Sequence, residues 1–233
     1  VIEAIGLCVS APDGRRILGP VTCAFGSHRT VVTGPSRSGK TTLFRALAGL
    51  IAPSAGRVLM NGEDLSKLDS AGLKRVRRGI GFVFQNDALF DSLDVLGNVM
   101  FPLTRSGVPR PEAEKRAREA LDAVGLGDRL SVIPERLSGG MKKRLGLARA
   151  IVTRPQFLLA DDPLAGLDPG TAAAMTELMV RLWSGDDGGL IIAAADSAPF
   201  EARGFQTIRL ENGLIAHGPG SGAEAAASSG AAV

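Results

Sequence analysis

The run Gly34-Pro35-Ser36-Arg37-Ser38-Gly39-Lys40-Thr41-Thr42 has the residue types and spacing of a phosphate cradle. In the pattern G-x-x-x-x-G-K-[ST], backbone N–H groups wrap phosphate oxygens and the following helix N-terminus adds positive potential. Lys40 then reaches the β- and γ-phosphates, and the Thr41 hydroxyl binds Mg2+. The context is the one this chemistry needs. A β-branched run, Thr30-Val31-Val32-Thr33, enters the loop, and Leu43, Leu47 and Leu50 leave it at helical spacing. A carboxylate completes the set: Phe157-Leu158-Leu159-Ala160 reads as a buried strand ending in Asp161, where a carboxylate can hold the water shell of Mg2+. Many strands end in Asp, so this signal gains its weight only beside a phosphate loop.

A further motif, Leu137-Ser138-Gly139-Gly140, places a helix-capping serine before glycines that permit close approach to exposed N–H groups. Alone it is an ordinary helix cap. Together with the phosphate loop, in this order, it gives the chain a resemblance to the nucleotide-binding subunit of ATP-binding-cassette (ABC) transporters, over roughly residues 1–217. That resemblance implies an α/β P-loop NTPase fold: a mixed sheet core, an N-terminal β region and a helical subdomain inserted near residues 86–137. It also implies ATP and Mg2+ as cofactors. Residues 34–42 would hold the nucleotide, Thr41, Gln85 and Asp161 the metal, and Lys40, Gln85 and Asp162 the catalytic chemistry. Ser138, Gly139 and Gly140 would grip ATP bound to a second cassette, identical or homologous, while Ala165-Gly166-Leu167-Asp168 crosses the dimer interface. The further partners implied are integral membrane permease subunits, with the chain peripheral on the cytoplasmic side of the inner membrane.

Phe84-Gln85-Asn86-Asp87-Ala88-Leu89-Phe90-Asp91-Ser92-Leu93, with Ser138 to Arg144, resembles one branch in particular, the Mla/Mce-type ATPases that move phospholipid. Lipid-binding components would then join the partners. The alternative is that Ala88-Leu89-Phe90 is the apolar surface any cassette uses to hold a permease, which leaves the cargo open.

Two positions depart from the family pattern. Asp162 stands where relatives carry Glu, and a carboxylate shortened by one methylene is displaced by about 1 Å, a misplacement that can cost about 10²-fold in rate. Ala195 stands where relatives carry His, and a methyl group can neither donate to the γ-phosphate nor orient water. His28 precedes the phosphate-loop strand and His217 falls in a peripheral turn, so neither replaces it. Two readings follow: a slow ATPase, or a non-hydrolysing ATP-binding scaffold within a heterodimer. Lesser departures are the lack of an aromatic residue between Val1 and Thr22, where relatives stack adenine, and Arg37 in place of a common glycine. If that position needs φ > 0, Arg37 costs energy; alternatively it adds a cation near the phosphates.

The elements that must position these groups suit a chain of 233 residues, enough for one large α/β domain. No apolar stretch approaches the roughly 20 residues needed to cross a bilayer. The net charge of +3 is too mild and too scattered to indicate nucleic acid. The basic run Lys74-Arg75-Val76-Arg77-Arg78 reads as a solvated face, and Cys8 and Cys23 as buried reduced thiols. With no export signal, a cytoplasmic location is expected. Strands are predicted within residues 1–33, broken by turns at Pro12-Asp13-Gly14 and Phe25-Gly26-Ser27, then at 56–60, 80–84, 157–160 and 190–195. Helices are predicted at 40–50, 138–152 and 171–183. Within the insertion the pattern supports one helix, opened by Pro111, carrying Ala113, Ala117, Ala120, Leu121 and Val124, and ended at Gly125. The Gly/Ala/Ser-rich residues 218–233 read as a disordered tail.

Overall fold

The computed structural model describes residues 1–183 and 188–218, so all of the predicted tail except Gly218 lies outside the described residues. In chain order the structure has β1 (Ile2–Ser10), β2 (Arg16–Phe25), β3 (Arg29–Thr33), α1 (Lys40–Leu47), β4 (Ala55–Met60), β5 (Glu63–Asp64), α2 (Ser70–Arg78) and β6 (Ile80–Val83). There follow α3 (Val95–Arg105), α4 (Arg110–Ala123), α5 (Gly139–Ile151), β7 (Phe157–Asp161), α6 (Pro169–Leu182), β8 (Gly189–Ala194), α7 (Ala198–Glu201), β9 (Gln206–Glu211) and β10 (Leu214–His217).

The strands form two sheets. One is antiparallel, in the order β2-β1-β4-β5; the other runs β10-β9-β3-β8-β7-β6 and is parallel except where β10 pairs with β9. The central strands β7 and β8 are buried along their whole length, and apolar up to Asp161 at the end of β7, because both of their faces are covered, the usual state of a parallel sheet. Alternate residues face different cores: Leu158, Ala160, Leu190 and Ile192 join the core beneath α5 and α6, while Leu159, Ile191 and Ala193 join the core formed with α1 and the antiparallel sheet. The parallel arrangement brings the carboxyl ends of β3, β7 and β8 to one edge of the sheet, where Thr33, Asp161 and Ala194 end their strands. Open α/β sheets bind ligands at that edge.

The insertion is more helical than its prolines suggest. Residues 95–105 form α3 despite Pro102, because Asp94 caps its start by accepting from Gly97 N at 2.7 Å, and Val95, Val99 and Leu103 are all buried along one face. Packing of that apolar stripe outweighs the one intrahelical bond that proline removes. Helix α4 carries Ala113, Ala117 and Leu121 inward as the spacing predicts, and Val124 is its C-cap. The basic run is the exposed face of α2, with Val76 turned into the core. Strands β9 and β10 extend the sheet beyond the predicted elements, and His217 ends the edge strand β10 instead of lying in a turn. Cys23 is buried as expected, but Cys8 is only half-buried.

Candidate nucleotide site

Two glycines make the phosphate loop possible. Gly34 leaves β3 at φ 148°, and a Cβ there would sit 2.0 Å from the carbonyl oxygen of Leu210. Gly39 takes the N-cap of α1 at φ 102°. Both conformations lie where side chains are rarely tolerated. The loop between them exposes Pro35, Ser36 and Arg37 and buries Ser38. Arg37 does occupy the left-handed region, at φ 65°, a cost of about 1–2 kcal/mol for a residue with a Cβ.

Lys40 Nζ folds back over the loop and donates to the carbonyl oxygens of Gly34 at 2.7 Å and Pro35 at 3.0 Å. Burial lowers its pKa below the usual lysine value, while the nearby charges of Asp162 and Asp161 oppose that shift. Thr41 Oγ1 donates to Asp161 Oδ1 at 3.1 Å, joining the start of α1 to the end of β7. Burial pushes the Asp161 carboxyl above the usual range; the Thr41 hydrogen bond works against this and the charge of Asp162 adds to it. Asp161 is only 4% exposed, so it is a carboxylate with few donors of its own, a state that a divalent cation relieves.

Asp162 follows at φ 50°, its backbone N–H donating to the Ala193 carbonyl at 2.8 Å. Gln85 Nε2 lies 3.4 Å from Asp162 Oδ2, a long contact across the mouth of the site. The Ala195 carbonyl accepts from Thr33 Oγ1 at 3.1 Å, so the main chain at this position is tied to the neighbouring strand even though the side chain carries no polar group.

All of these groups line one cavity of about 560 Å3: residues 36–42, Gln85, Asp161, Asp162 and Ala195, closed on another side by Arg15 and Ile17 from the β1–β2 hairpin. Thr41, Asp161 and Gln85 present only oxygen-bearing side chains, the donor chemistry suited to Mg2+. Among the described residues no group of three His, Cys, Asp or Glu could hold a metal alone. Mg2+ keeps several waters and takes phosphate oxygens as ligands, so it asks few protein groups of a site. Arg15 and Ile17 carry no motif; only the pairing of β1 with β2 brings them here.

Ser138, Gly139 and Gly140 are not part of this cavity. Ser138 Oγ accepts from Met141 N at 3.3 Å and caps α5, and both Ser138 and Gly139 are exposed. A Cβ on Gly139 would meet nothing within 4 Å. Asp168 caps α6 in the same manner, accepting from Thr171 N at 3.0 Å, and its carboxyl is held below the usual range chiefly by the Thr171 hydroxyl. These two caps therefore leave glycine-bearing, solvent-facing segments at the surface.

A second cavity, of about 700 Å3, lies between α2, β6, α3 and α5. Phe82, Phe84, Phe90 and Phe101 are its aromatic wall and Lys74, Arg77, Arg78, Arg105 and Arg149 its charged side chains. Phe90 and Phe101 pack with ring centroids 4.4 Å apart, and the Arg149 guanidinium lies 5.7 Å from the Phe90 centroid.

A parallel core, a glycine loop running into a helix, and a Thr–Asp pair across the strand edge define a phosphate-loop nucleotide-binding protein. The sequence model of the ABC transporter family matches residues 23–165, and the chain belongs to that family. The methionine import ATP-binding protein MetN of Xanthomonas euvesicatoria pv. vesicatoria (strain 85-10) is 43% identical over 173 residues, covering 73% of this chain and 52% of that protein. MetN of Rhizobium meliloti (strain 1021) is 44% identical over 153 residues, 66% of this chain and 43% of that protein. The chain thus spans about half the length of the curated relatives it matches. Among solved structures, the post-hydrolysis dimer of the ATP-binding cassette MJ0796 bound to ADP and Pi superimposes with a TM-score of 0.84 at 28% identity, covering 94% of this chain and 98% of that one. CbiO1 of Clostridium perfringens, part of the cbiONQ transporter complex, gives 0.82 at 28% identity, covering 92% of this chain and 86% of that one.

Proposed function

We propose that this chain is the ATP-binding subunit of an ABC transporter, binding Mg-ATP at the interface with a second cassette and driving an integral membrane permease. The observation that carries the reading is the meeting of Lys40, Thr41 and Asp161 on one cavity wall. Lys40 already satisfies two carbonyl oxygens of its own loop, and exchanging those for phosphate oxygens turns neutral acceptors into charged ones, which makes stronger hydrogen bonds. Thr41, Asp161 and Gln85 would hold Mg2+, which neutralises charge on the phosphates when bound. Gln85 and Asp162 border the same space and would orient the attacking water.

The chemistry is slow on this reading. Asp162 carries its carboxylate on a short arm, and Ala195 presents a methyl group toward the cavity where a donor would stabilise transferring charge. These same residues favour a second reading, a scaffold that binds ATP without hydrolysing it and offers Ser138 to Gly140 to a competent partner. Phosphate release separates the two: the purified chain is compared with the double variant Asp162→Glu/Ala195→His. Slow release by the parent supports the ATPase; release by the double variant alone supports the scaffold. Absence of any affinity for Mg-ATP defeats both.

The aromatic cavity beside Gln85 is the surface on which a permease segment would dock, with the chain held peripherally at the cytoplasmic membrane face. The named relatives support methionine as the first cargo to test; they lend no support to phospholipid or lipid-binding components. The cassette does not itself meet cargo in this scheme, so co-purification of the permease followed by uptake assays with methionine and phospholipid decides between them.

A further inference from the structure

Residues 85–90 leave β6 as a loop whose backbone is held from two sides. Asp87 and Ala88 both adopt left-handed conformations, at φ 58° and 48°, although neither is glycine. Such backbone persists only when its surroundings over-determine it. Helix α5 supplies the constraint through two of its basic residues, Lys143 and Arg149. Lys143 Nζ donates to the Gln85 carbonyl at 2.5 Å and lies 3.1 Å from Asp87 Oδ1, an ion pair not aligned as a hydrogen bond. The Lys143 side chain is only 7% exposed. Arg149 forks across the next two peptides, donating to the carbonyl oxygens of Asp87 and Ala88, each at 2.7 Å. On the other side, the fully buried Asn98 of α3 accepts from Phe90 N at 2.8 Å and donates to the Phe90 carbonyl at 3.0 Å.

A buried lysine with one carboxylate partner is an expensive way to hold a loop if packing is all that is needed. What distinguishes this loop is its neighbours: Gln85 borders the nucleotide cavity, and Ala88 and Phe90 line the aromatic cavity. We infer that Lys143, paired with Asp87 and assisted by Arg149, is a clasp that positions Gln85 against the nucleotide and ties it to the same helix that Ser138 caps. Lys143 and Asp87 are positioning residues; neither borders the nucleotide cavity. The clasp makes α5 and the loop one mechanical unit. This inference rests on the reading of Gln85 as a ligand on the metal side of the site.

The test uses the full chain and the variants Lys143→Met, Lys143→Arg, Asp87→Asn and Gln85→Ala. Melting temperature establishes that each folds; Asp87→Asn preserves shape and serves if Lys143→Met does not fold. Amide hydrogen exchange over residues 85–90 reports the loop. Affinity for the β,γ-imido analogue of ATP, measured with Mg2+ and with EDTA, reports the position of Gln85. Lys143→Met and Asp87→Asn are expected to speed exchange in the loop and to reduce the Mg2+-dependent gain in affinity by about tenfold, with binding in EDTA unchanged. Lys143→Arg restores both. Unchanged exchange in Lys143→Met and Asp87→Asn overturns the clasp, as does an unchanged Mg2+ gain where Gln85→Ala abolishes it. If Gln85→Ala itself leaves the gain intact, the metal reading of Gln85 fails and loop exchange alone judges the clasp.

Discussion

At the scale of single residues, the demands on backbone conformation are the most severe. Gly34 has a carbonyl oxygen 2.0 Å from where its Cβ would be, and neither a rotamer change nor a small shift removes a backbone clash of that size. Gly34→Ala is therefore expected to abolish Mg-ATP binding, measured by equilibrium titration; retained affinity would show that the loop can move as a whole. Asp162 is the milder case. Asp and Asn tolerate the left-handed region better than longer side chains, so Asp162 suits its own φ of 50°. The cysteines offer a check on burial at this scale. Burial pushes the Cys23 thiol up to about 12, so it stays protonated and unreactive at pH 8, while Cys8 is partly accessible. Maleimide at pH 8 should label Cys8 and spare Cys23 in the folded protein and label both in denaturant, as read by mass spectrometry. Labelling of folded Cys23 would contradict its position in the core.

At the scale of elements, α3 shows why the insertion was hard to read. Pro102 marks a break in any local reading, and the helix exists because Asp94 caps it and Val95, Val99 and Leu103 find a core contributed by α4 and α5. Asp94→Ala removes the acceptor for Gly97 N and is expected to cost about 1 kcal/mol, a fall of about 2–4 °C in melting temperature. No change in melting would mean that packing alone sets the start of α3. The amphipathic stripe of α4 and the strand–loop–helix around Lys40 were legible because each repeats within a few residues. Strands β9 and β10 are marked in the sequence as well, with Asn212-Gly213 as a hairpin turn between them and Gly204 and Gly218 at their outer ends, although the predicted elements stop short of them.

At the scale of the whole molecule, the solvent-facing Ser138–Gly140 segment and the open nucleotide cavity lie on separate parts of the chain, an arrangement that a second copy or a related cassette would complete. Asn at position 162 keeps the backbone preference and removes the charge, so Asp162→Asn with ATP should yield a dimer by light scattering. A Cβ at Gly139 meets nothing within 4 Å, so Gly139→Arg added to that variant has room to leave its own helix and should abolish the dimer while ATP binding remains. A dimer that survives this change places the interface elsewhere. The phosphate loop, the strand ending in Asp161 and the Ser138–Gly140 cap were determined by the sequence itself, because each is a contiguous run, and in the phosphate loop the backbone at Gly34 and Gly39 admits few other residue types. Only the tertiary structure decided that Arg15 and Ile17 close the cavity, that residues around Pro102 are helical, and that Lys143 and Arg149 hold the Gln85 loop. Those contacts join positions about 60 residues apart in the last case, and no local periodicity records a pairing that exists only once the sheet and the helices have packed.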